Sequence, residues 1–129
     1  MLVKHLSEPW FSLIYCGKKT IEVRLDKGHF HDLKPQDTIE FFNDELGFNM
    51  RRKFCIKVIS IEKFDTFELL LEKYISNALP TVKSIEFGCQ ILQQYYSKEN
   101  ELNKYKKLAI NIERVSAVIN EPRTSATSC

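Results

Sequence analysis

No stretch of this 129-residue chain approaches the roughly 20 consecutive apolar residues that span a bilayer. The opening residues, Met1-Leu2-Val3-Lys4-His5, hold no long apolar segment, so no secretory signal is expected. An intracellular location, cytoplasm or nucleus, follows as the expectation. Cys16, Cys55, Cys89 and Cys129 are scattered, without a C-x-x-C pair, which argues against a structural zinc site. Without an export signal the four read as reduced thiols rather than two disulfides. Cys16, Cys55 and Cys89 lie among apolar neighbours and read as core filler. Repeats and long low-complexity segments are absent. So is a large charge excess. Lys and Arg number 19 and Asp and Glu 17, for a formal net charge of +2. That balance allows a local basic patch but not the strongly basic surface usual in a nucleic-acid binder. His29-Phe30-His31-Asp32 is the one metal-like cluster. With no second ligand cluster it reads as an exposed loop, and neither metal nor cofactor is expected.

What remains is ordinary globular material, with 43% hydrophobic and 28% charged residues, enough for one domain with a real core. Residues 2–6 read as a short strand and 26–36 as a loop. Residues 37–43 alternate as a strand, and 43–50 form a hairpin connection. A long strand follows over 51–63, with Phe54, Ile56 and Val58 on one face and Cys55, Lys57 and Ile59 on the other. Phe67, Leu70, Leu71 and Tyr74 keep helical spacing, capped by Asp65 or Thr66. A second helix over 84–96, capped by Ser84, carries apolar residues around much of its circumference and is expected to be buried. Lys98 through Lys107 read as a charged connector, 107–115 as the last strand, and the polar tail from residue 117 as disordered. Several strands with few helices between them make an α+β domain around a strongly bent sheet.

The densest information lies in Gly17-Lys18-Lys19-Thr20-Ile21-Glu22-Val23-Arg24. If residues 20–25 form a strand, Ile21, Val23 and Leu25 face a core, while Thr20, Glu22 and Arg24 face the other way. Glu22 and Arg24 then sit about 7 Å apart along the strand, close enough to share one small polar ligand, with Lys19 at its mouth. The plain alternative is a half-exposed antiparallel strand with a surface ion pair of little energetic value. Upstream, Ser7 is a candidate N-cap, Pro9 suits a first helical turn, and Gly17 suits the C-terminal stop. A short helix thus runs directly into the charged strand.

Pro9-Trp10, followed by Gly17 through Arg24, resembles the ASCH domain, a PUA-like family with a Pro-Trp helix and a Gly-x-Lys-Thr-x-Glu-x-Arg motif. Asp37-Thr38-Ile39-Glu40-Phe41, residues 57–64, Tyr95-Tyr96-Ser97 and Leu108 through Ile112 are also similar, over roughly residues 2–115. Gln36 stands where the family usually has Gly, and a different turn geometry is expected there. The resemblance implies a closed, PUA-like bent β-barrel with peripheral helices, in an ASCH domain over 1–116. It also implies a cleft between the first helix and the barrel that meets RNA or a modified nucleoside or nucleotide.

In that cleft a guanidinium fork and a lysine suit phosphate or carbonyl oxygens, and a carboxylate accepts from an exocyclic amine. The expected binding residues are Trp10, Lys18, Lys19, Thr20, Glu22, Arg24, Arg51 and Arg52. Lys104, Lys106 and Lys107 form a second basic cluster, and Tyr95 and Tyr96 are candidate stacking surfaces or pocket walls. The alternative is a small hydrolase, a ribonuclease or an amidohydrolase of the N4-acetylcytidine type, with Lys19 and Glu22 as catalytic residues. Family deacetylases carry Thr where Glu22 stands, so a carboxylate base would have to replace that hydroxyl. A third reading is a protein-interaction module of the transcription-coactivator type, with a protein partner.

Overall fold

The computed structural model describes residues 1–96 and 99–122. Ser97, Lys98 and residues 123–129, Cys129 among them, lie outside the described residues, as do the side chains of residues 99–101. In chain order the elements are β1 (Leu2–His5), α1 (Trp10–Tyr15), β2 (Ile21–Leu25), β3 (Thr38–Asn43), β4 (Met50–Phe64), α2 (Phe67–Ala78), α3 (Ile85–Tyr95), α4 (Glu99–Lys104), β5 (Lys107–Arg114) and β6 (Ile119–Pro122). A short 3-10 turn, Gly28–Phe30, lies between β2 and β3.

The strands form one mixed sheet in the order β1-β3-β4-β5-β2, with β6 added beside β4. β1 runs parallel to β3, and the other pairs are antiparallel. β4 is long enough to hold β3 along one edge and both β5 and β6 along the other. A register shift between Val58 and Ser60 bends it. The sheet curls into a half-barrel, an α+β fold of the PUA-like kind. The curl stops short of full closure. β1 and β2 are its two edges, and no ladder joins them among the described residues.

Alternation in the strands produces two cores. Inside the curl, Phe11 and Ile14 of α1 pack with Ile39, Phe41, Phe54, Ile56, Val58 and Ile110. Phe11 meets Phe54 edge to face at 4.8 Å. Phe41 and Phe54 are 0% and 1% exposed, so each contributes about 1.5–3 kcal/mol of burial. Outside the curl, α2 and α3 cover Ile21, Val23, Leu25 and Ala109. Trp10 packs against both cores. β2 is therefore covered on both sides. Its apolar row meets the helices, and its charged row points into the curl.

Local chemistry explains most boundaries. Thr66 accepts from Leu69 N–H and Ser84 from Phe87 N–H, capping α2 and α3. Thr66, not Asp65, supplies the first cap. Gly17, at φ +84, ends α1 in the left-handed conformation that glycine adopts without strain. Ser7 does not cap α1. Glu8 does the comparable work, accepting from the Ser12 N–H at 2.9 Å and the Ser12 hydroxyl at 2.6 Å.

Five further expectations change. Gln36 takes φ +79, so the turn keeps a glycine-like backbone with a side chain in the left-handed region. The exposed Phe87 and Tyr95 show that α3 is covered along one stripe only, centred on Gly88 and Leu92. Part of the charged connector is helical, as α4. Residues 119–122 of the tail add strand β6 to β4 rather than lying loose. Cys16 is exposed and not core filler, and Cys55 and Cys89 are half-buried, Cys89 packing against the outer core.

Candidate functional site

Gly17 ends α1, and the chain turns at once into β2. That turn leaves Lys19 beneath the last residues of α2, where its backbone N–H donates to Leu13 O at 3.0 Å. The ammonium donates to Ile21 O and Ala78 O, both at 2.6 Å, and lies 3.6 Å from Glu22 Oε1. Three acceptors surround the three N–H donors of one ammonium. Lys19 is 4% exposed. Burial pulls its pKa below the usual lysine value, and the Glu22 carboxylate draws it part of the way back.

Glu22, 5% exposed, is gripped from its other side by Arg24, whose Nε donates to Oε2 at 2.9 Å. Burial works against the Arg24 charge, but the adjacent carboxylate outweighs it, and the guanidinium pKa lies above the ordinary arginine value. The Arg24 plane also sits over Phe30, 4.8 Å from the ring centre. Among the described residues, the two terminal nitrogens of Arg24 find no acceptor. The trio carries one negative and two positive charges, leaving a single positive charge directed at the seam.

A pocket of about 260 Å³ opens in this seam between β1 and β2. Trp10 and Tyr95 form one wall, and the Trp10 indole N–H donates to the Tyr95 hydroxyl at 2.7 Å. Tyr96 forms another. Its hydroxyl donates to Val23 O at 2.9 Å, and its ring stacks on Phe67 at 5.7 Å. Burial, more than the charges beside it, pushes the Tyr96 phenol up to about 12, so it stays a neutral donor at physiological pH. Leu79 and Leu92 supply apolar surface, and His5 and Ser7 close the β1 side. An apolar slot with a few convergent polar groups has the composition of a small-ligand site.

Trp10, Lys19, Glu22 and Arg24 thus meet in one pocket, joined by Tyr95 and Tyr96. The other named residues do not reach it. Lys18 is exposed. Thr20 lines a separate depression with Gly17 and Arg114, and accepts from Asn77 Nδ2 at 3.2 Å. Arg52 binds Glu8 at 3.0 Å and Asn43 at 2.8 Å, tying β4 to the start of α1. Arg51 lies over Phe42 and 3.7 Å from Asp44. Lys106 pairs with Asp65, and Lys107 is buried. Arg51, Arg52, Lys106 and Lys107 are thus engaged within the fold, and Lys104 is exposed. His5, Leu79 and Leu92 were not among the expected pocket residues. His5 ends β1 and Leu79 follows α2, so only the curl of the sheet brings them together. No group of His, Cys, Asp and Glu among the described residues is placed to hold a metal, and no helix there is long and apolar enough to cross a membrane.

The family model described as the ASCH domain matches residues 5–116. Among solved structures, the hypothetical protein PH0355 is 38% identical, with a TM-score of 0.75 over 88% of this chain and 98% of its own. Protein PF0455 from Pyrococcus furiosus is 36% identical, with a TM-score of 0.69 over 88% of this chain and 96% of its own. A variant of ZmASCH from Zymomonas mobilis shares the fold at 17% identity, with a TM-score of 0.59 over 86% of this chain and 66% of its own. A search of curated proteins found no match.

Proposed function

The chain belongs to the ASCH domain family, and from that premise we propose that it binds RNA or a modified nucleoside through the pocket between α1 and β2. The observation that carries this reading is the posture of Arg24. Glu22 holds it through Nε, which leaves both terminal nitrogens without an acceptor among the described residues at a half-buried, aromatic-walled slot. A base edge is the natural complement. A carbonyl or ring nitrogen accepts from the guanidinium fork, as guanine O6 and N7 do, while an adjacent N–H finds Glu22. Trp10 and Tyr95 offer the flat surfaces on which an unpaired base lies.

Binding is favoured over turnover by Lys19. Its N–H donors are directed at two backbone carbonyls and Glu22, which makes it a positioning group for the carboxylate rather than a proton donor to a ligand. The functional unit is proposed as residues 1–116, acting inside the cell.

Calorimetric titration with the four ribonucleosides, N4-acetylcytidine and a short single-stranded RNA tests the reading. At least one base should bind saturably, and Arg24→Gln should weaken it by about 1–3 kcal/mol, the worth of one bidentate base contact. Product analysis of the same mixtures checks for turnover. Release of acetate or cleaved RNA that disappears in Glu22→Gln would favour the hydrolase. Absence of any saturable binding across the panel would overturn the pocket assignment.

A further inference from the structure

Behind the first pocket, and sharing Arg24 and Tyr96 with it, lies a second cavity of about 340 Å³. Among the described residues its lining holds Lys4, Arg24, Lys27 and His29 and no acidic side chain. Phe30, 8% exposed, lies beneath the Lys4 and Arg24 cations. Lys4 Nζ is 5.5 Å from the ring centre and Arg24 Cζ is 4.8 Å from it. Two positive charges brought to one buried ring repel each other, and the ring's quadrupole attracts each only weakly. Glu22 offsets Arg24 from the pocket side. Lys4 has no carboxylate partner among the described residues.

We propose that this cavity is an anion subsite that takes the phosphate attached to the nucleoside held in the first pocket. The identity of that neighbour rests on the base-pocket reading above, while the subsite itself stands on its own charge pattern. Arg24 is the hinge between the two. Its Nε is fixed on Glu22, and its terminal nitrogens stand where base and phosphate would meet. The Lys4 ammonium enters from the edge strand β1 and the His29 ring from the 3-10 turn, so three elements converge on one anion. A remaining Arg24 N–H and the Lys4 ammonium are charged donors of the kind that bind a phosphate oxygen.

Backbone amide NMR of the full chain reads the subsite directly. Ribose 5-phosphate should shift the Gly28, His29 and Phe30 amides, and ribose should not. Each ribonucleoside that binds should gain about five- to tenfold in affinity as its 5′-monophosphate, from one or two charge-assisted contacts at a half-exposed site. Lys4→Gln should erase that gain and leave nucleoside affinity unchanged, and the exposed His29→Gln should reduce it. A trinucleotide tighter than the monophosphate identifies an RNA strand as the source of the phosphate. Equal affinity identifies a free nucleotide. Nucleosides that bind equally with and without phosphate, together with a silent ribose 5-phosphate titration, would overturn the subsite while leaving the base pocket intact. Amide shifts from ribose 5-phosphate without any nucleoside binding would support the subsite and remove the base pocket.

Discussion

Two buried lysines bracket the β2–β5 ladder, and they do different things. Lys19 precedes β2, while Lys107 opens β5 opposite Leu25, at the far end of the same ladder. They are 4% and 5% exposed, and burial lowers the pKa of both. Both donate to backbone carbonyls. Lys107 reaches Asp65 O and Tyr105 O at 3.0 Å, and also Leu102 O. There the likeness ends. The bonds of Lys107 go to carbonyls alone, and it pins the α4 region to the start of α2. Lys19 has a buried carboxylate beside it, and that carboxylate holds an arginine that faces a pocket. A buried cation that satisfies carbonyls is structural cement. A buried cation that orients an anion, which orients a second cation, preorganises a site.

Substitution should separate the two most strongly in stability. Lys19→Met leaves two carbonyls and Glu22 short of a partner, a broken buried ion pair that costs about 3–5 kcal/mol. Lys107→Met strands carbonyls but no charge, at about 1–3 kcal/mol. Urea midpoints measure both, and equal losses would erase the distinction. Coupling is the next test. Lys19→Met and Glu22→Gln should be non-additive by about 0.5–3 kcal/mol, whereas Lys107→Met and Glu22→Gln should add. Ligand binding then splits the ends of the ladder. Lys107→Met should retain nucleoside affinity if it remains folded, while Arg24→Gln loses about 1–3 kcal/mol of it, in addition to the stability lost when Glu22 gives up its arginine partner. A loss of equal size in both would tie binding to general integrity of the ladder.

The smallest effect is in pH. A lysine pKa below 10.5 in the folded state means that the unfolded chain holds more protons between the folded value and 10.5. Stability contributed by either group therefore rises with pH through that window. The wild-type advantage over Lys107→Met should widen as pH rises from the lowered folded-state pKa toward 10.5. A gap that narrows would mean that the Lys107 ammonium is favoured by the fold.

Much of this was legible in the sequence because it is local. The alternation Ile21, Glu22, Val23, Arg24 fixed both faces of β2, Gly17 marked the end of α1, and Thr66 and Ser84 marked two helix starts. Trp10 was tied to the charged strand only by the family resemblance. Long-range facts were hidden. Lys19 reaches Ala78 O across 59 residues, and nothing in the octapeptide shows that its ammonium is buried rather than presented to a ligand. Arg51 and Arg52 looked like a phosphate-binding cluster because their partners, Asp44, Glu8 and Asn43, lie across a turn or on another element. Lys4 and Phe30 drew no attention, since only the curl of the sheet brings β1 beside the 3-10 turn. At Gln36 composition misled differently, because the fold keeps the backbone of a glycine and accepts the strain of a side chain.

Trp10 is the chain's single tryptophan, and its indole N–H lies in the pocket wall, bonded to Tyr95. The indole resonance of the wild-type protein, titrated with the nucleoside and RNA panel, therefore reports on this site with no competing signal. The expected result is a saturable shift of that one peak, retained in Lys107→Met and weakened in Arg24→Gln. A peak that stays fixed while ligand binds elsewhere, or that moves equally in wild type and Arg24→Gln, would contradict the assignment of Arg24 as the arm that Lys19 and Glu22 hold ready.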